Sequence, residues 1–284
     1  MPLTRRAPAK INLGLHVLRR RPDGYHDIET VFHRLDWTDT VTAAPADALS
    51  LTCSDPALPT DDDNLCLQAA QRLAGAFDVS EGAALHLEKR VPYGAGLGGG
   101  SSDAAATLQL LTRLWGLDPS AERLREIGRA IGSDVLFFLE DVPAAHATGR
   151  GDVLLPLSDA GSAYCLPVPV LVVVPPVQVS TPRAYAAVTP DDTDRPDLRR
   201  LVRSNDLSRW RAALANDFEA PVRRAEPVVA SAQEKLKRAG AAYTSLSGSG
   251  SAVFGAFTSR EAARDARDEV RGSEGRVHLM EAPE

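Results

Sequence analysis

Residues 92–102 read Pro92-Tyr93-Gly94-Ala95-Gly96-Leu97-Gly98-Gly99-Gly100-Ser101-Ser102. Five of the seven residues 94–100 are glycine, which lets the backbone turn tightly and come close to a ligand. An apolar run at 84–91, with the pattern of a strand, precedes the loop. After it, Ala104, Ala105, Leu108, Leu111, Leu114 and Trp115 recur with helical spacing. Ser101 and Ser102 are good N-cap residues, and Gly116 closes the helix. A glycine turn opening a helix is a natural anion site, because the first N–H groups and the positive dipole end face the ligand. Phosphate is the usual occupant; a flexible surface linker is the ordinary alternative.

Neither familiar phosphate signature fits this loop. The P-loop requires a Gly-Lys pair, and the chain has none. A dinucleotide fingerprint is matched loosely from Gly94 to Gly99, but the acidic residue expected some way downstream is poorly placed: 113–117 is Arg-Leu-Trp-Gly-Leu, with Asp118 just beyond.

Outward from the loop, residues 9–17 alternate. Ala9, Ile11, Leu13, Leu15 and Val17 fall on one face, and Lys10, Asn12, Gly14 and His16 on the other, which is the period of a strand. A second strand is expected over 28–35. Ser120 opens a helix that ends at Gly132, and 134–139 is short and very apolar. A proline-rich passage at 167–182 encloses a buried-strand pattern at 170–174, and 190–204 is charged and loop-like. Helices are expected near 206–215, 226–239 and 260–271, and strands at 243–246, 253–257 and 276–280. Strands and helices that do not strictly alternate indicate an α+β fold, with a boundary near residue 158.

Composition narrows the function. The chain has 284 residues, 44% hydrophobic and 25% charged, which is globular rather than disordered. Its net charge of −6 argues against a nucleic-acid partner. The longest apolar stretch, 168–177, is too short to span a membrane and holds three prolines, so no membrane partner is expected. The first twenty residues lack the apolar run of a signal peptide, and a cytoplasmic location is expected. Cys53, Cys66 and Cys165 form no metal or disulfide pattern, the histidines show no ligand spacing, and no metal site is expected. Only four of the 32 cations are lysine, which draws attention to Lys10 as a compact point charge.

Several residues carry two readings each. Lys10 is a solvated strand residue or a cation for a transferred group. Asp134, just ahead of an apolar run, is a helix cap or a general base. Tyr25 and His26 follow an Asp23-Gly24 turn, and Tyr185 follows Thr181-Pro182; both places suit an ordinary turn or a site that stacks on a nucleobase. Ser247-Gly248-Ser249-Gly250-Ser251 is a hairpin connection or a second backbone wall of a ligand cleft.

Three segments together resemble the GHMP kinase superfamily: Pro8-Ala9-Lys10-Ile11-Asn12-Leu13, Gly96-Leu97-Gly98-Gly99-Gly100-Ser101-Ser102 and Ser247-Gly248-Ser249-Gly250. Asp23-Gly24-Tyr25-His26, Thr181-Pro182 with Tyr185, and Asn216-Asp217-Phe218-Glu219 resemble one branch of it, whose acceptor carries a cytidine diphosphate group and feeds isoprenoid synthesis. The resemblance implies a ribosomal-protein-S5-domain-2-like N-terminal domain over 1–158 and a ferredoxin-like C-terminal domain over 159–284. It implies ATP as phosphoryl donor, Mg²⁺ carried with the nucleotide, and a small-molecule alcohol as acceptor. By the same resemblance Lys10 and Asp134 are the catalytic pair, Asp134 receiving the hydroxyl proton and Lys10 orienting the hydroxyl. Residues 92–102 then wrap the ATP phosphates, Tyr25 and Tyr185 sandwich the cytosine, His26 reads its edge, and Asn12 and Thr181 line the substrate pocket. Departures from the family pattern at Ser133, Leu136, Phe218 and Leu246 are of a packing kind. The rival readings are a mevalonate or homoserine kinase on this fold, a non-catalytic nucleotide-binding regulator, and an RNA-binding protein built on the S5-like domain. The first leaves the aromatic cluster without a purpose, and the acidic charge disfavours the last.

Overall fold

The computed structural model describes residues 1–140, 142–159, 161–271 and 275–282. The chain divides into two compact units that interleave in sequence. The first holds Met1–Ala9, Asp36–Val91 and Gly98–Asp141; the second holds Lys10–Leu35, Pro92–Leu97 and Val142–Glu284. Strands β1 (Leu3–Arg20) and β2 (His26–Ala46) run through both units.

In the first unit the distal half of β2 pairs antiparallel with β4 (Gly82–Glu88), and β3 (Ser50–Cys53) lies parallel on the far side of β4. Helices α1 (Leu65–Ala76), α2 (Gly99–Leu114), α3 (Ala121–Ile131) and α4 (Ser133–Leu139) complete it. Helix α1, absent from the sequence expectations, is capped by Asn64, whose side chain accepts the Cys66 N–H, and it buries Cys66, Leu67, Ala69, Ala70 and Leu73. Ser120 caps α3 as expected, accepting the Arg123 N–H at 3.2 Å. The serines of the glycine loop do not cap α2: Gly98 takes the N-cap position at φ +68, with no side-chain cap. Glycine enters this left-handed conformation without a steric penalty, so no side chain competes for the first N–H groups.

In the second unit the proximal half of β2 pairs with β5 (Ala144–Thr148), which forms a hairpin with β6 (Val153–Pro156). The short pair β7 (Ser158–Asp159) and β8 (Ser162–Ala163) follows. Next come β9 (Val170–Val174), α5 (Thr181–Ala186), α6 (Leu198–Arg203), α7 (Leu207–Ala213), α8 (Glu219–Ala225) and α9 (Pro227–Arg238). The chain closes with β10 (Tyr243–Leu246), β11 (Val253–Ala256), α10 (Arg260–Val270) and β12 (Arg276–Met280). The sheet order β10-β11-β9-β12, with every pairing antiparallel, is the ferredoxin-like arrangement expected from the resemblance. All five residues of β9 are buried, as a central strand covered on both faces requires. The expectation of a loop over 190–204 is corrected at its end. Asp197 accepts the Arg200 N–H at 3.0 Å and caps α6, which buries Leu198 and Val202 four residues apart. Charge on the outer face hid this apolar pair.

His33 shows how this unit depends on pH. It is 4% exposed, and its Nε2 accepts the Leu166 N–H at 3.0 Å. Burial pushes its pKa from 6.5 down to about 4. A histidine held neutral contributes stability that is fully present above its unfolded pKa and lost as pH falls through the folded one. Unfolding free energy is therefore expected to fall by on the order of 3 kcal/mol between pH 6.5 and 4 on account of His33. Urea titrations across that range should show this loss in wild type and a smaller one in His33→Gln, which keeps an acceptor without a titratable ring; equal losses refute the attribution.

Candidate active site

Both faces of β1 are buried within its central stretch, so the reading of Lys10 as a solvated residue does not hold. Lys10 is 3% exposed. Its Nζ donates to Asn12 Oδ1 at 2.6 Å and to the Gly96 carbonyl at 2.9 Å, and lies 5.2 Å from the centre of the Phe32 ring. An ammonium out of water needs such partners, since an uncompensated one costs several kcal/mol. Asn12 is itself fixed, its Nδ2 donating to Thr30 Oγ1 at 2.9 Å and Thr30 Oγ1 donating to the Gly14 carbonyl at 2.5 Å. Asn12, expected to line a substrate pocket, thus presents its oxygen to Lys10.

The glycine loop enters the second unit at Pro92 and leaves it after Leu97. It is stitched to β1 by the Lys10 N–H, which donates to the Leu97 carbonyl at 2.9 Å. On its other side Ser247 Oγ donates to the Gly96 carbonyl at 2.9 Å, and the Ala252 N–H donates to the Ala95 carbonyl at 3.0 Å. The 247–251 turn joins β10 to β11, so the hairpin reading holds, and it also packs its backbone against the glycine loop. Asn216 braces that turn, its Nδ2 donating to the carbonyls of Leu246 at 2.8 Å and Gly248 at 2.9 Å. Glu219 Oε2 accepts the Leu246 N–H at 3.3 Å.

The aromatic residues lie in the same unit. His26 and Tyr185 stack with ring centres 4.8 Å apart, and Phe218 meets Tyr185 edge-on, also at 4.8 Å. Burial, with Arg20 nearby, lowers the His26 pKa, which keeps the ring neutral. Tyr25 is 54% exposed, and the Arg150 guanidinium lies over its ring at 3.9 Å. Thr181 opens α5, and its hydroxyl lies 3.0 Å from Ser249 Oγ.

The start of α2 lies in the first unit. By helix geometry the N–H groups of Gly99, Gly100 and Ser101 have no intrahelical acceptor; the Ser102 N–H is the first to find one, in the Gly98 carbonyl at 2.9 Å. Ser102 Oγ is buried and has no hydrogen-bond partner. An anion can accept from the free N–H groups of such a helix start, so this cradle suits a phosphate. Asp134 lies in the first turn of α4, whose N-cap is Gly132, so Asp134 is not the cap itself. Sequence reasoning missed a buried group beside the cradle, formed by Lys89, Asp39 and Asp103. The scarcity of lysine, which drew attention only to Lys10, is the one signal that could also have marked Lys89, and nothing marked its partners. Among the described residues no group of three or more His, Cys, Asp or Glu is arranged to hold a metal ion.

Comparison with known proteins agrees with this architecture. Residues 64–145 match the GHMP kinases N terminal domain, and residues 197–276 match the GHMP kinases C terminal family. A 4-diphosphocytidyl-2-C-methyl-D-erythritol kinase from Salinibacter ruber (strain DSM 13855 / M31) is 66% identical over 283 residues, covering 100% of both chains. One from Chlorobium limicola (strain DSM 245 / NBRC 103803 / 6330) is 44% identical over 94% of this chain and 92% of its own. A crystal structure of 4-(cytidine 5'-diphospho)-2C-methyl-D-erythritol kinase superposes with a TM-score of 0.81 at 35% identity, covering 98% of each chain. The chain belongs to the GHMP kinases, and within them to the branch of 4-diphosphocytidyl-2-C-methyl-D-erythritol kinases. It is an ATP-dependent kinase that phosphorylates a small-molecule alcohol.

Proposed function

We propose that the chain transfers the γ-phosphoryl group of ATP to the 2-hydroxyl of 4-diphosphocytidyl-2-C-methyl-D-erythritol, a step of the methylerythritol phosphate route to isoprenoid precursors. The observation that carries the reading is the uncapped start of α2, with its free N–H groups and the buried, unpartnered Ser102 hydroxyl. Its resemblance and identity to the named relatives supply the acceptor.

Phosphoryl transfer needs mainly positioning and charge neutralisation. In this reading residues 92–102 hold the triphosphate, Asp134 takes the proton of the acceptor hydroxyl and Lys10 orients that hydroxyl. Mg²⁺ enters as part of the nucleotide substrate. The cytosine stacks on Tyr25 and Tyr185, with His26 at its edge, while Asn12 and Thr181 line the pocket. The exposed ring of Tyr25 and the aromatic group around Tyr185 support this part of the reading. We take residues 1–158 and 159–284 as the family's two domains; the two family matches fall on either side of that boundary. A small, charged substrate and the net charge of −6 support a cytoplasmic enzyme without a nucleic-acid or membrane partner. Among the described residues no helix is long and apolar enough to cross a membrane.

ADP release with Mg·ATP should be seen with the cytidyl compound and not with mevalonate, homoserine or galactose. Turnover with another of the four instead would keep the kinase and overturn the acceptor. In Tyr25→Ala, KM for the cytidyl compound should rise about tenfold or more, as loss of one base–aromatic stack implies, with KM for ATP little changed. The opposite pattern would mean that the two substrate sites have been exchanged.

A further inference from the structure

A buried charge cluster packs against the first turn of α2. Lys89 Nζ donates to Asp39 Oδ2 at 2.5 Å and to Asp103 Oδ2 at 2.7 Å, and the three side chains are 2%, 0% and 3% exposed. Asp39 Oδ1 also accepts the N–H groups of Arg90 at 2.5 Å and Val91 at 2.8 Å. Asp103 Oδ1, by contrast, is buried with no hydrogen-bond partner. A Cβ placed on Gly99 would lie 3.1 Å from Lys89 Nζ, so the ammonium sits directly behind the first residue of the helix. The cluster therefore fixes both the end of the β4 segment, where the chain leaves the first unit, and the start of α2, where it returns.

One ammonium between two carboxylates leaves a buried negative charge, which is costly away from water. A single proton removes it. That proton belongs on Asp103, because Asp39 already accepts three N–H donors and Asp103 accepts one. Resting on the proposed binding of the ATP phosphates at α2, we propose that Asp103 is a positioning residue for the nucleotide. Its protonated form keeps the cluster neutral behind the phosphate cradle, and its ionised form sets a negative charge against the triphosphate. Burial pushes the Asp103 carboxyl up to about 7, against the pull of Lys89, and the neighbouring Asp39 carboxylate adds to the rise. That rise moves the exchange of the proton with solvent up toward neutral pH. Burial works to lower the Lys89 pKa, but the two carboxylates outweigh it and the lysine stays charged. The remaining titratable group facing Asp103 is Cys66 on α1, which burial pushes up to about 12 and so keeps as a thiol.

The test is the dissociation constant of a non-hydrolysable Mg·ATP analogue, measured from pH 6 to 8.5 with wild type and Asp103→Asn. Asparagine keeps the shape and the acceptor for Lys89 but cannot ionise. Wild-type affinity should weaken on the order of tenfold as pH rises, the scale of one unit charge near a polyphosphate at an effective dielectric of about 20. The variant should hold close to the low-pH wild-type value throughout. Comparing the two proteins removes the titration of the nucleotide itself. Parallel profiles overturn the proposal whatever happens to thermal stability, because a merely structural cluster would move stability alone. Lys89→Met, checked for folding by circular dichroism, should bind the analogue more weakly at every pH; unchanged binding by a folded Lys89→Met also overturns it. Failure of wild type to bind the analogue at any pH refutes the nucleotide reading itself, and the inference falls with it.

Discussion

Asp134→Asn is expected to lower kcat by a factor of about 10³ while Mg·ATP still binds, since general-base contributions run from about 10² to 10⁴. Asparagine preserves the size and one acceptor of Asp134 in the first turn of α4 but cannot receive a proton. Phosphoryl transfer has a loose transition state in which the hydroxyl proton leaves late, so loss of the proposed base is expected to act on kcat more than on binding. Lys10→Met should cost a comparable factor for a different reason. It removes the charge and leaves Asn12 Oδ1 and the Gly96 carbonyl without the donor they now share. If the two residues act as one unit, the double variant will be little worse than either single one, as is usual for groups in one constellation. Single-turnover rates and equilibrium nucleotide binding separate the outcomes. Normal turnover in Asp134→Asn sinks the assignment, and strict multiplication of the two losses shows that the residues act independently.

What the sequence disclosed, and what it hid, divides along the range of the interaction. Local period and punctuation were legible: the alternation of 9–17, the Ser120 cap, the all-apolar run of β9 and the glycine after α9 all appear where their chemistry requires. Helices α1 and α6 were not read because their apolar faces are short and lie among charges and small residues. Contacts distant in sequence left no local trace. Lys10 reads as half of an alternating strand, and only the fold shows both faces of that strand buried. Asp39 and Lys89 are 50 positions apart, and neither lies in a motif that demands the other. Ser247 and Gly96 are 151 apart, though each lies in a glycine-rich turn that the sequence marks on its own. Such residues are small or unremarkable because the fold needs space or a single donor there, which composition cannot express.

Gly96→Ala tests that last contact, and it is expected to reduce kcat/KM by about 100-fold or more. Gly96 sits at φ +78, where a Cβ adds roughly 1–2 kcal/mol of steric strain. The larger effect is collision. A Cβ there would stand 2.1 Å from the Ser247 carbonyl oxygen, 3.0 Å from its carbon and 3.1 Å from the Gly250 nitrogen. All three are backbone atoms, in a turn that Asn216 and Glu219 hold in place, so no flexible side chain can yield. The loop must move instead by about 1 Å to restore ordinary contact, and in the phosphate-holding role proposed for it an error of that size costs on the order of 10² in rate. Moving the loop also takes the Gly96 carbonyl away from Lys10 and Ser247, which removes one of the acceptors of Lys10 and the acceptor of the buried Ser247 hydroxyl. Gly94→Ala is the matched comparison. It too has a positive φ, of +66, but its Cβ would meet only the Gln178 side chain, at 3.5 Å and beyond. Strain without collision should cost less activity, roughly 5- to 30-fold at most even if all of that strain fell on the rate. Steady-state kinetics of the two variants, with melting temperatures to confirm folding, decide between the causes. Equal losses would trace the effect to backbone strain alone and remove the Ser247 contact from the account of how the loop is held. A loss in Gly96→Ala well beyond that in Gly94→Ala, two residues away, would show that the turn after β10 positions the loop that β1 and its lysine share.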